Sequence, residues 1–344
     1  MNNSKVLITG GAGFVGSNLS HYLLDNFDLD ELIIVDNLIS SEMVNVPKEK
    51  NVTFIFGSIA DDSILNHLPN NINYVFHLSC YHGNQSSIAN PLEDHKNNNL
   101  TSLKLFEAIS KFKNLQAVVY AAAGCAVAEK KYGDVGPTSE DAPVSLFHDS
   151  PYSISKLVGE MYGNYYFQHS NMPFVKARFQ NIYGPREILG AGIWRGTINT
   201  VYRNVIPTFI WKTLRNEEIT LYAEGEASRD FLFVEDVVKG LVDCALKGVS
   251  GEAYNLASGV ETTINQLAKK IISLTNSKSS LHLMPKREWD NSGNRFGDIT
   301  KSKEKLGFVS SIELDIGLEK TIDWMKKHKK VIENCIQKHS YYFK

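Results

Sequence analysis

The sequence predicts an α/β protein built on a doubly wound parallel sheet, with a smaller, partly interleaved α/β lobe. Two observations indicate this fold. Short apolar runs alternate with helical segments through the first half of the chain, and a glycine-rich turn follows the first run. The length of 344 residues corresponds to about two domains. We expect residues 1–181 to form the sheet domain, a later segment at about 229–258 to return to it, and residues 182–344 to form mainly the lobe.

The first predicted element is the apolar run KVLIT at residues 5–9, which leads into a glycine-rich turn and a helical segment. This order is typical of a strand, a tight turn and a helix that bind a dinucleotide. Glycine permits the turn and a close approach of the pyrophosphate, and the helix N-terminus favours its negative charge. The residues predicted to contact the dinucleotide here are Gly10, Gly13, Phe14, Val15 and Gly16.

The second apolar run, residues 32–35, ends in Asp36, which lies twenty residues after the last glycine of the turn. A carboxylate at this spacing accepts hydrogen bonds from both ribose hydroxyls and repels a 2′-phosphate. The alternative is a turn residue that only ends the strand. The spacing favours ribose binding and therefore predicts NAD rather than NADP as the cofactor.

The remaining elements follow in order along the chain. Further strands of the sheet are predicted at 52–57, 74–78, 117–121 and 174–178, and helices at about 61–67, 92–112 and 152–169. The buried face of the long helix at 92–112 is expected to include Leu100, Leu103, Leu105 and Phe106. Beyond residue 181, glycines and prolines mark a long loop region before shorter strands and helices, the last helix lying at 312–328.

Composition argues against a nucleic-acid-binding, a membrane-spanning, a metal-binding or a disulfide-stabilised protein. A net charge of −2 gives no reason to expect nucleic acid as a partner. No run approaches the ~18 apolar residues of a membrane span. The four cysteines are scattered without the spacing of metal ligands, so we expect neither a metal site nor a disulfide framework. The chain enters its first strand without a basic and apolar leader, and we expect a cytoplasmic protein.

The predicted helix at 152–169 carries Tyr152 and Lys156, four residues apart and therefore on one face. A nearby ammonium group stabilises a phenolate, so we expect Lys156 to lower the pKa of Tyr152 until it can exchange protons near neutral pH. His82 follows the fourth predicted strand at the mouth of the expected cleft. It either donates a hydrogen bond that positions the substrate, or it is only a structural residue of the loop.

With these motifs in place, the chain resembles the extended short-chain dehydrogenase/reductase family over nearly its whole length, specifically the NAD-dependent nucleotide-sugar epimerases and dehydratases. The resemblance implies a Rossmann-type sheet domain, a nucleotide-sugar substrate and a bound NAD that oxidises a sugar hydroxyl, usually at C4. The motifs that carry it are TGGAGFVG at 9–16, DNL at 36–38, HLSC at 77–80, Tyr152 with Lys156, RFQNIYGP at 178–185, RDF at 229–231, and Arg295 with Asp298.

The same resemblance implies roles for further residues. Asn181 and Arg229 would contact the diphosphate of the substrate, and Arg295 is a further candidate, because a guanidinium binds phosphate well. A structural ion pair is the alternative for each arginine. The family also implies a homodimer formed through the long helices at 92–112 and 152–169. Further cofactor contacts are implied at Asn37, Ser58, Ile59 and Leu78, and Ser58 stands where the family usually has an acid near the adenine.

The segment after the fifth strand departs from the family. Ala123 stands where a Ser or Thr normally binds the reacting hydroxyl, and losing such a donor costs about 2–4 kcal/mol of transition-state stabilisation unless another group replaces it. The acid pair of the 4,6-dehydratases is replaced by Gly124 and Cys125, which disfavours dehydration. Cys125 also stands where GDP-mannose 3,5-epimerase and GDP-fucose synthase place a cysteine that moves protons. Its alternative role is packing as a small buried residue.

Together these features predict an NAD-dependent nucleotide-sugar 4-epimerase, with Tyr152 as the base and Lys156 as its electrostatic partner and as a ligand of the cofactor ribose. Both residues are therefore also expected to contact NAD. The alternatives are an epimerase at C3 or C5 that uses Cys125, and a dehydrogenase that releases the 4-keto sugar. A catalytically silent NAD-binding protein is the alternative of a different class, and it is motivated by Ala123.

Overall fold

The structure is a computed structural model and describes residues 1–124, 136–193, 197–288, 290 and 293–343. The strands are β1 (Lys5–Thr9), β2 (Glu31–Asp36), β3 (Val52–Phe56), β4 (Tyr74–His77), β5 (Ala117–Ala123), β6 (Phe174–Phe179), β7 (Asn181–Tyr183), β8 (Ile219–Tyr222), β9 (Ser228–Phe233), β10 (Ala253–Leu256), β11 (Glu261–Thr263) and β12 (Leu281–Met284).

Helices separate most of these strands. They are α1 (Phe14–Asn26), α2 (Asp62–Leu65), α3 (Asn84–Ala89), α4 (Pro91–Asp94), α5 (Thr101–Ile109), α6 (Pro151–Ser170), α7 (Ile198–Val201), α8 (Val205–Thr213), α9 (Val234–Lys247), α10 (Ile264–Thr275), α11 (Thr300–Leu306), α12 (Leu314–Lys327) and α13 (Lys329–Gln337). In the described part of the chain, no helix is both long and apolar enough to cross a membrane.

The main sheet has seven parallel strands in the order β10-β6-β5-β4-β1-β2-β3. Its inner strands are continuous apolar runs because helices cover both faces, and β4 and β5 are buried along their whole length. The direction of strand order reverses between β1 and β4, which is where a doubly wound sheet opens a crevice at the carboxyl ends of its strands. The predicted fold class is therefore confirmed.

A second apolar core lies outside the main sheet and includes Trp211, Leu221 and Leu318. Two small sheets belong to this region, one of order β11-β9-β7 and one that pairs β12 with β8. Of the segment predicted at about 229–258, α9 and β10 return to the main sheet, whereas β9 pairs with β7 and β11 instead. The division of the chain at residue 181 stays a prediction.

The predicted long helix at 92–112 is wrong in two details. It is interrupted by a π-helical turn at His95–Leu100, and it ends at Ile109. Leu105 and Phe106 are fully buried as expected, but Leu100 is exposed. The additional residue of a π turn shifts the helix face, so periodicity counted through the segment assigns Leu100 to the wrong side.

Helix α6 begins at Pro151, and the hydroxyl of Ser150 caps it by accepting a hydrogen bond from the amide of Ser153. Two glycines on its inner face let it approach the sheet closely. A Cβ at Gly159 would lie 2.1 Å from the Tyr120 hydroxyl, and one at Gly163 would lie 2.0 Å from the Phe174 ring. The helix that carries the predicted base is therefore packed directly on β5 and β6.

A buried ion pair joins α6 to β6. The guanidinium of Arg178 donates to both oxygens of Glu160, at 2.9 and 2.8 Å, and to the carbonyl of Glu140 at 2.8 Å. Both side chains are almost entirely buried. The pair aligns helix and strand, and removing one partner would leave the other as an uncompensated buried charge.

We predict that Glu160→Gln lowers the free energy of unfolding by about 3–5 kcal/mol, because Arg178 keeps its charge and loses the opposing one. Urea denaturation measures the change. The control is Lys111→Gln, which removes an exposed pair with Glu107 and should cost less than about 1 kcal/mol. Equal losses in the two variants would contradict the role given to the buried pair.

Candidate active site

The predicted site residues that the structure describes all line one cavity of about 910 Å³ at the carboxyl ends of the main strands. They are Gly10, Gly13, Phe14, Val15, Gly16, Asp36, Asn37, Ser58, Ile59, Leu78, His82, Tyr152, Lys156, Asn181, Arg229 and Arg295. Cys125 lies outside the described residues. The individual roles assigned to these residues stay predictions.

The glycine turn has the form that a pyrophosphate requires. Gly10 has a φ of +75°, and a Cβ on it would lie 2.7 Å from the backbone of Ser79. A Cβ on Gly16 would lie 2.3 Å from the carbonyl oxygen of Gly10. Among the described residues no side chain caps the N-terminus of α1, and its first turn contains no acid. The helix end is therefore available to an anion, and the residues present fit a dinucleotide.

Asp36 holds the glycine turn and the loop after β2 together. One carboxylate oxygen accepts from the amide of Ala12 at 3.0 Å. The other accepts from the amide of Leu38 at 2.8 Å and the hydroxyl of Ser41 at 2.7 Å. Burial raises the pKa of Asp36 above its ordinary value, and these hydrogen bonds oppose the shift. The carboxylate therefore has structural partners in the turn in addition to its place on the cavity wall. The structural and the ribose-binding interpretations of Asp36 are compatible.

Tyr152 and Lys156 lie on the cavity wall near the middle of the sheet. The ammonium of Lys156 donates to the carbonyl of Ala121 at 2.8 Å and lies 5.8 Å from the centroid of the Tyr152 ring. The predicted lowering of the Tyr152 pKa is wrong for this structure. Burial raises that pKa well above its ordinary value, and Cys80 is the next contributor. Desolvation of the phenolate outweighs the attraction of a cation whose hydrogen bond goes elsewhere.

His82 packs against the predicted base. Its ring meets the Tyr152 ring edge-on, with centroids 5.6 Å apart and planes at 65°. Burial, with a smaller effect of Arg203, lowers the pKa of His82 to about 3, so the imidazole is neutral near pH 7. Its Nδ1 atom is buried without a hydrogen-bond partner. Ala123 lines the same cavity at the end of β5, so the imidazole and the position of the expected hydroxyl share one cavity.

Asn98, in the π-helical turn, fixes the loop that carries His82. Its side-chain oxygen accepts from the amide of Tyr81 at 2.7 Å. Its side-chain nitrogen donates to Asp94 at 2.8 Å and to Ser155 at 3.1 Å. The side chain thereby ties the loop after β4 to helix α6.

The two arginines that are predicted to bind phosphate both have protein partners. Arg229 donates to the carbonyls of Ser228 and Gly293, at 2.6 and 2.7 Å, and its guanidinium lies 4.0 Å from Asp290. Arg295 lies 3.5 Å from a carboxylate oxygen of Asp149. Both line the cavity, so the structural and the phosphate-binding interpretations are compatible.

Other polar residues on the cavity wall were not predicted. Glu187, Arg203 and Arg287 come from irregular segments in which neither periodicity nor a motif marks a site. The carboxyl of Glu187 is buried, accepts from the side chain of Asn204, and has its pKa raised by burial to about 7. The guanidinium of Arg287 stacks on the Tyr222 ring at 3.9 Å. Only tertiary packing could reveal Glu187 and Arg203 as residues of the cavity wall.

The fold and the cavity define a dinucleotide-binding α/β enzyme of the short-chain dehydrogenase type, with a separate substrate side. A model of the NAD dependent epimerase/dehydratase family matches residues 6–257. The chain belongs to this family, which confirms NAD as the cofactor.

Three similar proteins illustrate the relationship. The structure of Bordetella bronchiseptica WbmF with NAD⁺ and UDP is 49% identical, covers 99% of this chain and 97% of its own, and has a TM-score of 0.89. The UDP-glucose 4-epimerase of Thermotoga maritima with UDP-glucose is 30% identical over 94% of this chain and 99% of its own, with a TM-score of 0.84. A putative UDP-glucose 4-epimerase of Methanocaldococcus jannaschii is 29% identical over 94% of this chain and 99% of its own. Other relatives are a dehydratase and a decarboxylase, so membership alone does not distinguish these reactions.

We predict that Asp36→Asn weakens NAD binding at least about tenfold. The amide nitrogen of asparagine would replace an acceptor that faces N–H and O–H donors, leaving a buried donor unsatisfied. Titration calorimetry with NAD measures the loss. Asp61→Asn, at an exposed residue that does not line the cavity, is the control and should bind NAD normally. Unchanged binding in Asp36→Asn would contradict the assignment.

Proposed function

We propose that this protein is an NAD-dependent nucleotide-sugar 4-epimerase acting on a uridine diphosphate sugar. One observation carries the proposal: the glycine turn, Tyr152, Lys156 and the arginines of the substrate side line a single cavity. The UDP in the WbmF structure and the UDP-glucose in the Thermotoga maritima structure support the choice of nucleotide.

In the proposed reaction, Tyr152 accepts the proton of the C4 hydroxyl of the sugar and returns it at the end. Because burial disfavours its phenolate, Tyr152 depends on positive charge in the site, of which Lys156 provides one part. When bound, NAD supplies the acceptor and donor of the C4 hydride, together with a positive charge on its oxidised ring. His82, neutral and next to Tyr152, provides a hydrogen bond to the reacting oxygen in place of the absent hydroxyl at Ala123.

The second candidate is an epimerase at C3 or C5. Two observations favour it: Ala123 lacks the hydroxyl that a C4 reaction uses, and Glu187, with a pKa of about 7, provides a proton-transfer group on the cavity wall. Such an enzyme exchanges carbon-bound hydrogen with solvent, whereas direct 4-epimerisation moves the C4 hydrogen without exchange.

We predict that turnover of UDP-sugars in heavy water yields the C4 epimer without deuterium on carbon, as measured by mass spectrometry and NMR. Tyr152→Phe should lower turnover at least about a hundredfold, because the phenol is the proton acceptor, and should leave NAD binding intact. Deuterium at C3 or C5 would favour the second candidate, and release of a 4-keto sugar would favour a dehydrogenase. If the Tyr152→Phe variant still fulfils the biological role of the protein, the protein is a catalytically silent NAD-binding protein.

We predict that His82→Phe lowers kcat/KM about tenfold to a hundredfold, because the ring against Tyr152 is kept while its hydrogen-bonding nitrogens are lost. Adding Ala123→Ser to this variant restores a hydroxyl at the family's usual position. Recovery of kcat/KM in the double variant would show that His82→Phe lowers activity because a hydrogen-bond donor to the reacting oxygen is lost. If the added hydroxyl gives no recovery, His82 serves packing only.

We also propose a cytoplasmic homodimer. Helix α6 packs beside α3, α4 and the π-helical turn, and these elements share large exposed apolar side chains. The residues concerned are Ile88, Leu92, Leu100, Ile154, Met161 and Tyr165. Covering such a patch is a common reason for association. Sedimentation velocity should therefore give the mass of a dimer, and Met161→Glu should shift it toward the monomer. Val309→Glu, at an exposed residue on no helix, is the control.

A further inference from the structure

Arg203 is the polar residue of the cavity that the proposed reaction leaves unexplained. It follows α7 and precedes α8, and its side chain lines the cavity. Its guanidinium also borders a small chamber that continues from the cavity. The other residues lining this chamber are Ile39, Ser40, Tyr81, His82, Ser86 and Thr200.

The charge of Arg203 is not balanced by a close carboxylate. Among the described residues its hydrogen bond is to the carbonyl of Ser40, at 3.5 Å, and it takes part in no ion pair within 4.0 Å. Glu187 attracts it from farther away, but that carboxyl is buried, and a pKa of about 7 leaves it partly protonated. One carboxyl oxygen of Glu187 is buried and has no hydrogen-bond partner among the described residues. The Arg203 side chain is only partly exposed to solvent and lacks a close anion, so a ligand that brings a negative group would stabilise this arrangement.

The surroundings of Arg203 indicate which part of the ligand it meets. It interacts electrostatically with His82 and Cys80, and the His82 ring packs against Tyr152. The groups that hold Arg229 and Arg295 are a different set, namely Ser228, Gly293, Asp290 and Asp149. Arg203 therefore borders the side of the cavity where His82 packs against Tyr152, whereas Arg229 and Arg295 have other protein partners.

We infer that the sugar of the proposed nucleotide-sugar substrate carries a carboxylate, and that Arg203 binds this carboxylate. The inference rests on the proposed function, since it concerns the sugar that Tyr152 would act on. A planar guanidinium matches a carboxylate with two parallel hydrogen bonds, which a hydroxymethyl group cannot reproduce. Arg203 thus selects a uronic acid over the corresponding neutral hexose.

Binding of matched substrate pairs to the NAD-loaded enzyme tests this inference. The pairs are UDP-glucuronate with UDP-glucose, UDP-galacturonate with UDP-galactose, and UDP-N-acetylglucosamine with its uronate, which differ only at C6. Affinities are measured by calorimetry with the Tyr152→Phe variant, which prevents turnover of the substrate during the titration. We expect at least one uronate to bind about ten times more tightly than its neutral partner, as a charge-assisted hydrogen bond allows.

The variants locate the source of this preference. Arg203→Gln should remove it, weakening the uronate tenfold or more while UDP, the neutral sugars and NAD bind within about twofold of their original affinity. Arg203→Lys should retain part of it. Arg215→Gln, at an exposed arginine paired with Glu217, is the control and should retain all of it.

Four results would overturn the inference. Equal affinity for both members of every pair would exclude a carboxylate as the group that Arg203 recognises. Turnover of the neutral sugars would then leave the proposed function intact. Weaker binding of UDP by Arg203→Gln would make Arg203 a diphosphate ligand, and weaker binding of NAD would make it a cofactor ligand. If no UDP-sugar binds although UDP and NAD do, the proposed function itself fails, and the inference fails with it.

Discussion

The buried ammonium of Lys156 donates a hydrogen bond of 2.8 Å to the carbonyl of Ala121, and this contact ties helix α6 to the end of strand β5. Gly159 and Gly163 make the contact possible, because any side chain there would collide with Tyr120 or Phe174. The buried pair of Arg178 and Glu160 holds the same helix to β6. Helix α6 is thereby fixed at two places along the sheet, and the position of Tyr152 on the cavity wall follows.

The cavity has two sides of different chemical character. On the cofactor side the polar groups are mostly backbone amides of the glycine turn and the uncapped end of α1, organised by the carboxylate of Asp36. On the substrate side they are charged and aromatic side chains from irregular segments, among them Arg203 and Glu187. The first side suits a ligand common to the whole family. Under the proposed function, the second side faces the sugar.

Burial, rather than charge alone, sets the acid–base properties of this site. Desolvation lowers the pKa of His82 to about 3 and raises that of Glu187 to about 7. It also raises the pKa of Tyr152, against the expectation from the lysine four residues away. Residue spacing places an ammonium near a phenol, but it does not state how deeply either group is buried or where the lysine hydrogen bond goes. In the free protein the phenol form of Tyr152 is favoured, so its deprotonation depends on what the cavity binds.

The sequence by itself determined the parallel sheet, the glycine turn, the position of Asp36 and the shared face of Tyr152 and Lys156, because these depend on local periodicity and short spacings. It also located the missing hydroxyl at Ala123. Tertiary structure decided the π-helical turn around Asn98, the partners of Arg229 and Arg295, and the meeting of His82 with Tyr152. It also brought Arg203 from a distant, patternless segment to the small chamber that His82 lines. The physical reason is that burial and long-range contacts arise only when segments far apart in sequence pack together, and no local pattern encodes them.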